Sequence, residues 1–247
     1  MVKEPVSVVQ ERFYRQIYDS KDLVHFNLRV GETDLNIGAE RILDKETLKL
    51  AKECRQVIES YIKDFPDFLT SLRPVSWGSN APDIIKAMCL AADKAGVGPM
   101  AAVAGVIAQY VGEGLEKFSR EIIVENGGDI YINGSTERMI GIYAGDSSIT
   151  GKVGIRIRPE DLPLGVCTSA GKVGHSLSFG QADAAVAISP DTVLADAVAT
   201  AIGNRVKTPN DIQKALDFAK TIPEITGALI VIDNELGAWG NIELIRL

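Results

Sequence analysis

The residues best suited to chemistry lie in one stretch, 165–204, where a small-residue segment leads through an apolar run into a helical pattern. The helical part carries Asp196 and Thr200 four positions apart, so both side chains project from one face. A carboxylate inside an otherwise apolar helix is costly to bury without a partner, and a divalent cation is one such partner. The alternative is local, with Thr200 bonding back to its own helix and Asp196 favoured by the helix dipole.

The segment that precedes the apolar run is predicted to be a loop with several polar groups. Thr168 and Ser169 could cradle an anion through hydroxyls and backbone N–H groups, or could belong to an ordinary polar loop. His175, one of two histidines, is a candidate hydrogen-bond donor or general acid, with a structural role as the alternative. Cys167 is a candidate nucleophile or persulfide carrier, or else a small buried core residue.

A second candidate segment is the turn-like run Asn126-Gly127-Gly128-Asp129, which lies between two β-like stretches. Glycines at such positions supply positive φ angles, so the run predicts a β-hairpin. A functional interpretation is a turn whose bare backbone lets a ligand approach, with Asn126 or Asp129 as hydrogen-bonding groups. No Ser-His-Asp triad and no pair of carboxylates is visible from spacing along the chain.

The elements that must position these residues follow a mixed order. The patterns predict strands over 7–18, 23–30 and 33–38, then amphipathic helices from Asp44 to about Lys63 and from Asp83 to Ala95, and an Ala/Gly-rich helix ending near Phe118. Strands predominate from 121 to 158 and over 184–189, a helix over 192–202 and another beyond Thr208 follow, and strands close the chain over 228–233 and 239–246. This order predicts an α+β fold in a single domain over 1–247, with a β-rich segment at about 1–40 and the core at about 80–247.

Composition narrows the classes of partner. The formal net charge is −7 and no basic block is present, which argues against nucleic acid and against an acidic membrane surface. Three cysteines without a C-x-x-C pair favour a reducing cytoplasm over a disulfide framework or a structural zinc site, and the first residues lack an apolar signal core. The Ala/Gly-rich helix and the last strand could pack between the subunits of a homo-oligomer or within one chain.

Four short motifs, taken together and in this order, resemble those of the ApbE-like proteins. They are G-V-I-A-Q-Y (105–110), E-N-G-G-D-I (125–130), T-S-A-G (168–171) followed by His175, and A-D-A-V-A-T-A (195–201). In its general layout the whole chain resembles the small uncharacterised ApbE-like family of archaea and bacteria, uncharacterised protein family 0280. The resemblance implies an ApbE-like, T-fold-like architecture of mixed sheets with packed helices.

The resemblance also implies a site and a reaction. ApbE proteins bind FAD with magnesium and transfer FMN to a threonine of an acceptor protein, and the magnesium bridges the pyrophosphate. Carried over, the two metal ligands fall on Asp196 and Thr200, and the glycine turn of the family falls on Gly127 and Gly128. The expected cofactors are therefore Mg²⁺ or another divalent cation together with FAD or FMN.

The chain departs from the ApbE pattern at ligand-facing positions. Gln109 stands where those proteins have a lysine, Tyr110 replaces a glycine, and Ser178 replaces an aspartate. A related nucleotide-like or pyrophosphate-bearing ligand is therefore an alternative to FAD, with Gln109 among the residues expected to line it. Two further hypotheses stay open: a sulfur-assimilation role with persulfide or homocysteine chemistry on Cys167, and a scaffold or sensor that binds its ligand without turnover.

Overall fold

The computed structural model describes residues 20, 22–171 and 179–247, so the strand predicted over 7–18 and His175 lie outside the described residues. Its helices are α1 (Asp44–Asp64), α2 (Asp67–Thr70), α3 (Asp83–Ala95), α4 (Val103–Leu115), α5 (Thr192–Arg205) and α6 (Ile212–Lys220). Its strands are β1 (Val24–Val30), β2 (Thr33–Ala39), β3 (Ile122–Asn126), β4 (Asp129–Asn133), β5 (Arg138–Gly141), β6 (Val153–Ile157), β7 (Leu164–Ser169), β8 (Ala184–Ser189), β9 (Gly227–Ile232), β10 (Glu235–Gly240) and β11 (Glu243–Arg246).

Two antiparallel sheets organise the chain. The larger has eight strands in the order β1-β2-β3-β4-β7-β8-β9-β10, and the smaller has three in the order β11-β6-β5. One face of the large sheet packs against the helices in the larger apolar core, and the other face shares a second core with the small sheet. The arrangement confirms the predicted α+β class, because helices are segregated to one face of an antiparallel sheet.

The burial of individual strands explains why these residues form a central sheet. Strands β8 and β9 are buried on both faces and are built almost wholly from apolar residues. Strand β1 lies at an edge and alternates between half-buried and exposed side chains over most of its length. Helix α5 is buried along most of its length, because it packs on β7 and β8 and also against α3 and α4. A polar residue inside this helix is therefore held in the interior of the protein.

Two predicted elements differ from the observed ones. The segment expected to be a loop from 165 onward begins as strand β7, since its backbone pairs with β4 on one side and β8 on the other. The single strand expected over 239–246 is two strands, β10 and β11, which belong to different sheets. A short break between them, with Gly240 at φ +92°, redirects the chain from one sheet to the other.

Within the described ranges, no single helix has both the length and the apolar character needed to cross a membrane. Residues Asp83–Ala95 and Pro99–Leu115 satisfy the length and composition test as a pair, with a bend of 105° between them.

Candidate functional site

The candidate site lies where α5 passes the beginning of α4. The Asp196 carboxylate accepts a hydrogen bond from the backbone N–H of Gly105, with 2.7 Å between Oδ2 and nitrogen. Only a glycine fits this crossing, because a Cβ on Gly105 would lie 2.6 Å from the carbonyl oxygen of Thr192 and 2.7 Å from Cβ of Asp196. The first turn of α4 therefore presents its N–H groups to a carboxylate, as helix N-termini favour.

The β3–β4 hairpin brings a second polar segment to the same place. Gly127 and Gly128 have φ angles of +71° and +108°, which the predicted hairpin turn requires. The Asn126 side-chain amide donates to the carbonyl oxygen of Ala104 at 3.1 Å and so ties the hairpin to the beginning of α4. Apart from the two neighbouring residues, no atom of the described residues lies within 4 Å of the position that a Cβ on Gly127 would occupy, so this part of the turn faces open space among them.

Asp129, the first residue of β4, lies beside Asp196 in the folded chain. Its side chain is buried, and its Oδ1 accepts a hydrogen bond from the backbone N–H of Thr168 at 3.3 Å. Burial raises the pKa of the Asp129 carboxyl, and the negative charge of Asp196 raises it further. Spacing along the sequence gave no sign of this pair, because the sheet and α5 bring together two segments that are far apart in the chain.

The buried carboxylates of Asp129 and Asp196 would be stabilised by a positive charge between or beside them. Burial raises the pKa of Asp196 to about 7, although hydrogen bonds from Gly105 and Ala104 act in the opposite direction. Burial is also the main cause of the raised pKa of Asp129. Among the residues that the structure describes, no arginine or lysine forms an ion pair with either carboxylate. Two buried carboxylates without a cationic partner are costly, and a bound cation removes that cost.

Cys167 is fully buried, close to the two carboxylates, and forms a hydrogen bond with Asp129. Its thiol donates to the carbonyl oxygen of Thr192 at 3.5 Å. Burial raises the thiol pKa well above its ordinary value, and the charges of Asp129 and Asp196 raise it further. A thiol in such surroundings stays protonated and unreactive, so the structure favours the interpretation of Cys167 as a core residue.

The remaining residues of β7 point to two different faces of the sheet. Cys167 packs with the helices in the larger core, whereas Val166 belongs to the core shared with the small sheet. Because side chains alternate along a strand, Ser169 lies on the helix side with Cys167, and Thr168 lies on the opposite side. The structure therefore brings Ser169, but not the Thr168 side chain, to the face that carries Asp196.

The other predicted site residues are placed as follows. Thr200 is half-buried and lies one turn beyond Asp196 on α5. Gln109 uses its side-chain oxygen to accept from the Thr192 backbone N–H at 2.9 Å, while its amide group donates to Glu113 at 2.8 Å. The Thr192 hydroxyl, which sequence reasoning did not single out, is buried without a hydrogen-bond partner among the described residues.

The donor set fits Mg²⁺ bound together with a phosphate ligand. The site offers carboxylate and hydroxyl oxygens, which are the ligands of hard divalent cations. Nowhere in the described ranges do three or more His, Cys, Asp or Glu side chains form a group that could hold a metal. A closed protein cage is therefore absent from that part of the chain. Mg²⁺ typically combines one or two carboxylates with phosphate oxygens and water, so a site with so few carboxylates is compatible with that ion.

The chain matches one protein family over most of its length and is similar to individual archaeal relatives. Residues 15–242 match the model of a family described as AbpE bacteria. A UPF0280 protein from Methanocella arvoryzae is 41% identical over 215 residues, which cover 87% of each chain. Another from Methanocaldococcus jannaschii is 42% identical over 227 residues, covering 88% of this chain and 91% of the relative.

Solved structures with the same fold include two flavin transferases. The flavin transferase ApbE from Vibrio cholerae superimposes with a TM-score of 0.55 at 11% identity and covers 88% of this chain and 96% of its own. The flavinyl transferase ApbE from Pseudomonas stutzeri, in its apo form, gives a TM-score of 0.53 at 15% identity, with 88% and 94% covered. At these identities the likeness establishes the fold.

Proposed function

The chain belongs to the AbpE bacteria family, and we propose that it binds a flavin nucleotide, or a similar pyrophosphate-bearing ligand, through a divalent cation. One observation carries the proposal: the buried Asp196 carboxylate is fixed at the beginning of α4, next to Asp129, with no cationic side chain among the described residues to neutralise the pair. A divalent cation supplies the missing charge and gives an anionic ligand a favourable place to bind.

Different residues of this chain would bind the cation and the pyrophosphate-bearing ligand. Asp196 and Thr200, which project from one face of α5, would hold the cation. When bound, the cation acts as a Lewis acid on the pyrophosphate and as a template that orients it. Gly127 leaves one side of the hairpin turn open to a ligand, whereas the Gly128 N–H is bonded to Glu125. Asn126 holds the turn against the beginning of α4.

Transfer of FMN is the reaction that this site would support. The hydroxyl oxygen of an acceptor threonine would form a bond to the FMN phosphorus, the pyrophosphate P–O bond would break, and AMP would leave. The hydroxyl proton would pass to solvent, and His175, outside the described residues, would act as the general acid that protonates the leaving AMP. The chain departs from the ApbE motifs at Gln109, Tyr110 and Ser178, so binding is the core of the proposal and transfer is its extension.

The proposed transfer is tested by measuring FAD binding, AMP release and flavin attachment in the same reaction. Metal-free protein is incubated with FAD and Mg²⁺, with and without a threonine-containing acceptor protein, and the products are separated by chromatography. Release of AMP in step with flavin attachment to the acceptor supports transfer. FAD that binds only with Mg²⁺ and is recovered unchanged supports a binding protein without turnover. FAD that does not bind under either condition would overturn the proposal.

The sulfur hypothesis has less support from the site. A persulfide carrier needs a thiolate that can reach solvent, and Cys167 is fully buried with a raised pKa. None of the contacts described for Cys167 supports persulfide chemistry over the proposed cation-dependent ligand binding.

A further inference from the structure

We infer that Asp129 is a second carboxylate ligand of the cation that Asp196 and Thr200 are proposed to hold, an inference that rests on the proposed function. The family motif assigns the metal to α5 alone. In this fold, however, β4 begins at Asp129, and that residue faces the same helix layer as Tyr131 two positions later. The Asp129 carboxylate is thereby directed toward α5 rather than toward solvent.

Asp129 is a buried carboxylate whose hydrogen bonds come from a thiol and a backbone N–H, both uncharged groups. Its side chain is 7% exposed, accepts a long hydrogen bond of 3.3 Å from the backbone N–H of Thr168, and also forms a hydrogen bond with the Cys167 thiol. Glu125, also buried, accepts a hydrogen bond from the Gly128 N–H at 2.8 Å and so closes the hairpin turn. Glu125 is therefore engaged in holding the turn, whereas Asp129 keeps the capacity to bind a cation.

Charge balance also favours a shared cation. Two carboxylates in one buried site balance one divalent cation, and the described residues near them offer no basic side chain in its place. With one carboxylate ligand, the site with its divalent cation would keep a net positive charge. With two carboxylate ligands, the occupied site is neutral before the phosphate ligand binds. The second carboxylate should therefore let the site hold a divalent cation on its own, ahead of the nucleotide.

The inference predicts two opposite effects of Asp129→Asn. Without metal, removing one of two mutually repelling charges should leave the melting temperature at pH 8 equal to or above that of the wild type. With Mg²⁺ or Mn²⁺ alone as the probe, the variant should lose the metal-induced rise in melting temperature. Its metal affinity should fall by more than the roughly 10–100-fold that loss of an outer-shell partner costs. A purely structural Asp129 predicts a lower melting temperature without metal and an unchanged response to metal.

A matched control is Asp183→Asn, because Asp183 is similarly buried at 6% exposure but accepts a backbone hydrogen bond from Asp233. This control should lose stability and keep the metal response. A direct-ligand test is Asp129→Cys, since a thiolate prefers a soft cation. Cd²⁺, and not Mg²⁺, should raise the melting temperature of that variant beyond its effect on the wild type, which already contains Cys167.

The metal responses of the two variants and the wild type distinguish a failure of this inference from a failure of the proposed function. Loss of the metal response in both Asp129→Asn and Asp196→Asn supports the inference. Loss in Asp196→Asn with an unchanged response in Asp129→Asn overturns the inference and leaves the proposed function standing. A wild type that responds neither to metal alone nor to metal with FAD overturns both.

Discussion

The carboxylate of Asp196 and the backbone N–H of Gly105 are joined by a 2.7 Å hydrogen bond that links the middle of one buried helix to the beginning of another. The bond does two things at once. It satisfies an N–H group in the first turn of α4, which has no partner inside its own helix. It also fixes the position of the carboxylate on which the proposed cation depends.

Gly105→Ala tests how tightly this crossing is packed. The new Cβ would meet a carbonyl oxygen and a side-chain carbon of α5 at 2.6 and 2.7 Å, so the helices must move apart. We expect a loss of about 1–3 kcal/mol in the free energy of unfolding by urea denaturation, in spite of the better helix propensity of alanine. Gly78→Ala is the control, because nothing lies within 4 Å of its Cβ position. Equal stability of the two variants would contradict the packing described for α4 and α5.

Gln109→Ala tests whether Gln109 serves the ligand or the fold. Its side-chain oxygen accepts from the Thr192 N–H at the beginning of α5, so its removal should cost about 1 kcal/mol in the free energy of unfolding. We expect the affinity for FAD in the presence of Mg²⁺ to change little. Gln213→Ala, which removes an exposed bond to Asp217, is the matched control and should cost less than about 0.5 kcal/mol. A large loss of FAD affinity in Gln109→Ala would restore Gln109 to the ligand-binding residues.

Arg138 forms a buried ion pair with Glu121 that involves none of the proposed site residues, and it offers a test of the fold itself. Its guanidinium, 3% exposed, bonds to Asp22 at 2.6 and 3.0 Å and to Glu121 at 2.8 Å. Arg138→Met leaves Glu121 buried without its cation, and we expect a loss of about 3 kcal/mol at neutral pH. Arg158→Met removes an exposed pair with Glu243 and should cost clearly less stability than Arg138→Met.

The same pair predicts a pH dependence of stability. The Arg138 hydrogen bond lowers the pKa of Asp22. Burial raises the pKa of Glu121, but hydrogen bonds from Ser135 and Arg138 outweigh it and lower that pKa overall. Depressed carboxyl pKa values contribute stability above the ordinary values of 3.8 and 4.5, and the contribution is lost as the pH falls through the folded-state values. Urea midpoints measured between about pH 6 and pH 3 should fall less steeply for Arg138→Met than for the wild type. Parallel curves would contradict the assignment.

Cys167 should be inert in the native protein. It is buried and its thiol pKa is raised, so thiolate is scarce at neutral pH. Alkylation with iodoacetamide, followed by mass spectrometry, should modify Cys167 no faster than the two other buried cysteines, Cys54 and Cys89. Complete modification in denaturant provides the control for reagent activity. Selective reaction of Cys167 in the folded protein would revive the sulfur hypothesis.

The sequence predicted most of the elements because their periodicity is local. The run from Asp44 has apolar residues at helical spacing, and the structure has a helix over Asp44–Asp64. The Asn126-Gly127-Gly128-Asp129 run has the turn chemistry of a hairpin, and Gly127 and Gly128 take the positive φ angles it needs. Each of these features depends on residues close together in the chain.

The sequence could not show what depends on long-range pairing. Strand β7 was mistaken for a loop, because its small and polar residues become a strand only by pairing with β4 and β8. The Asp129–Asp196 pair was missed for the same reason, since it forms only when the sheet and α5 are assembled. Gly105 is a local indication of the contact between α4 and α5, because a glycine in the first turn of a helix is consistent with a close approach by another element.

The most direct test of the account is an isothermal titration of metal-stripped protein with FAD, in the presence and absence of Mg²⁺, for the wild type and for Asp196→Asn. We expect roughly micromolar binding by the wild type that requires Mg²⁺, and no binding by Asp196→Asn under the same conditions. Circular dichroism and the melting temperature of the variant establish that it is folded. Binding of FAD by the wild type without Mg²⁺, or equal binding by Asp196→Asn, would contradict the central claim that a cation held by Asp196 mediates ligand binding.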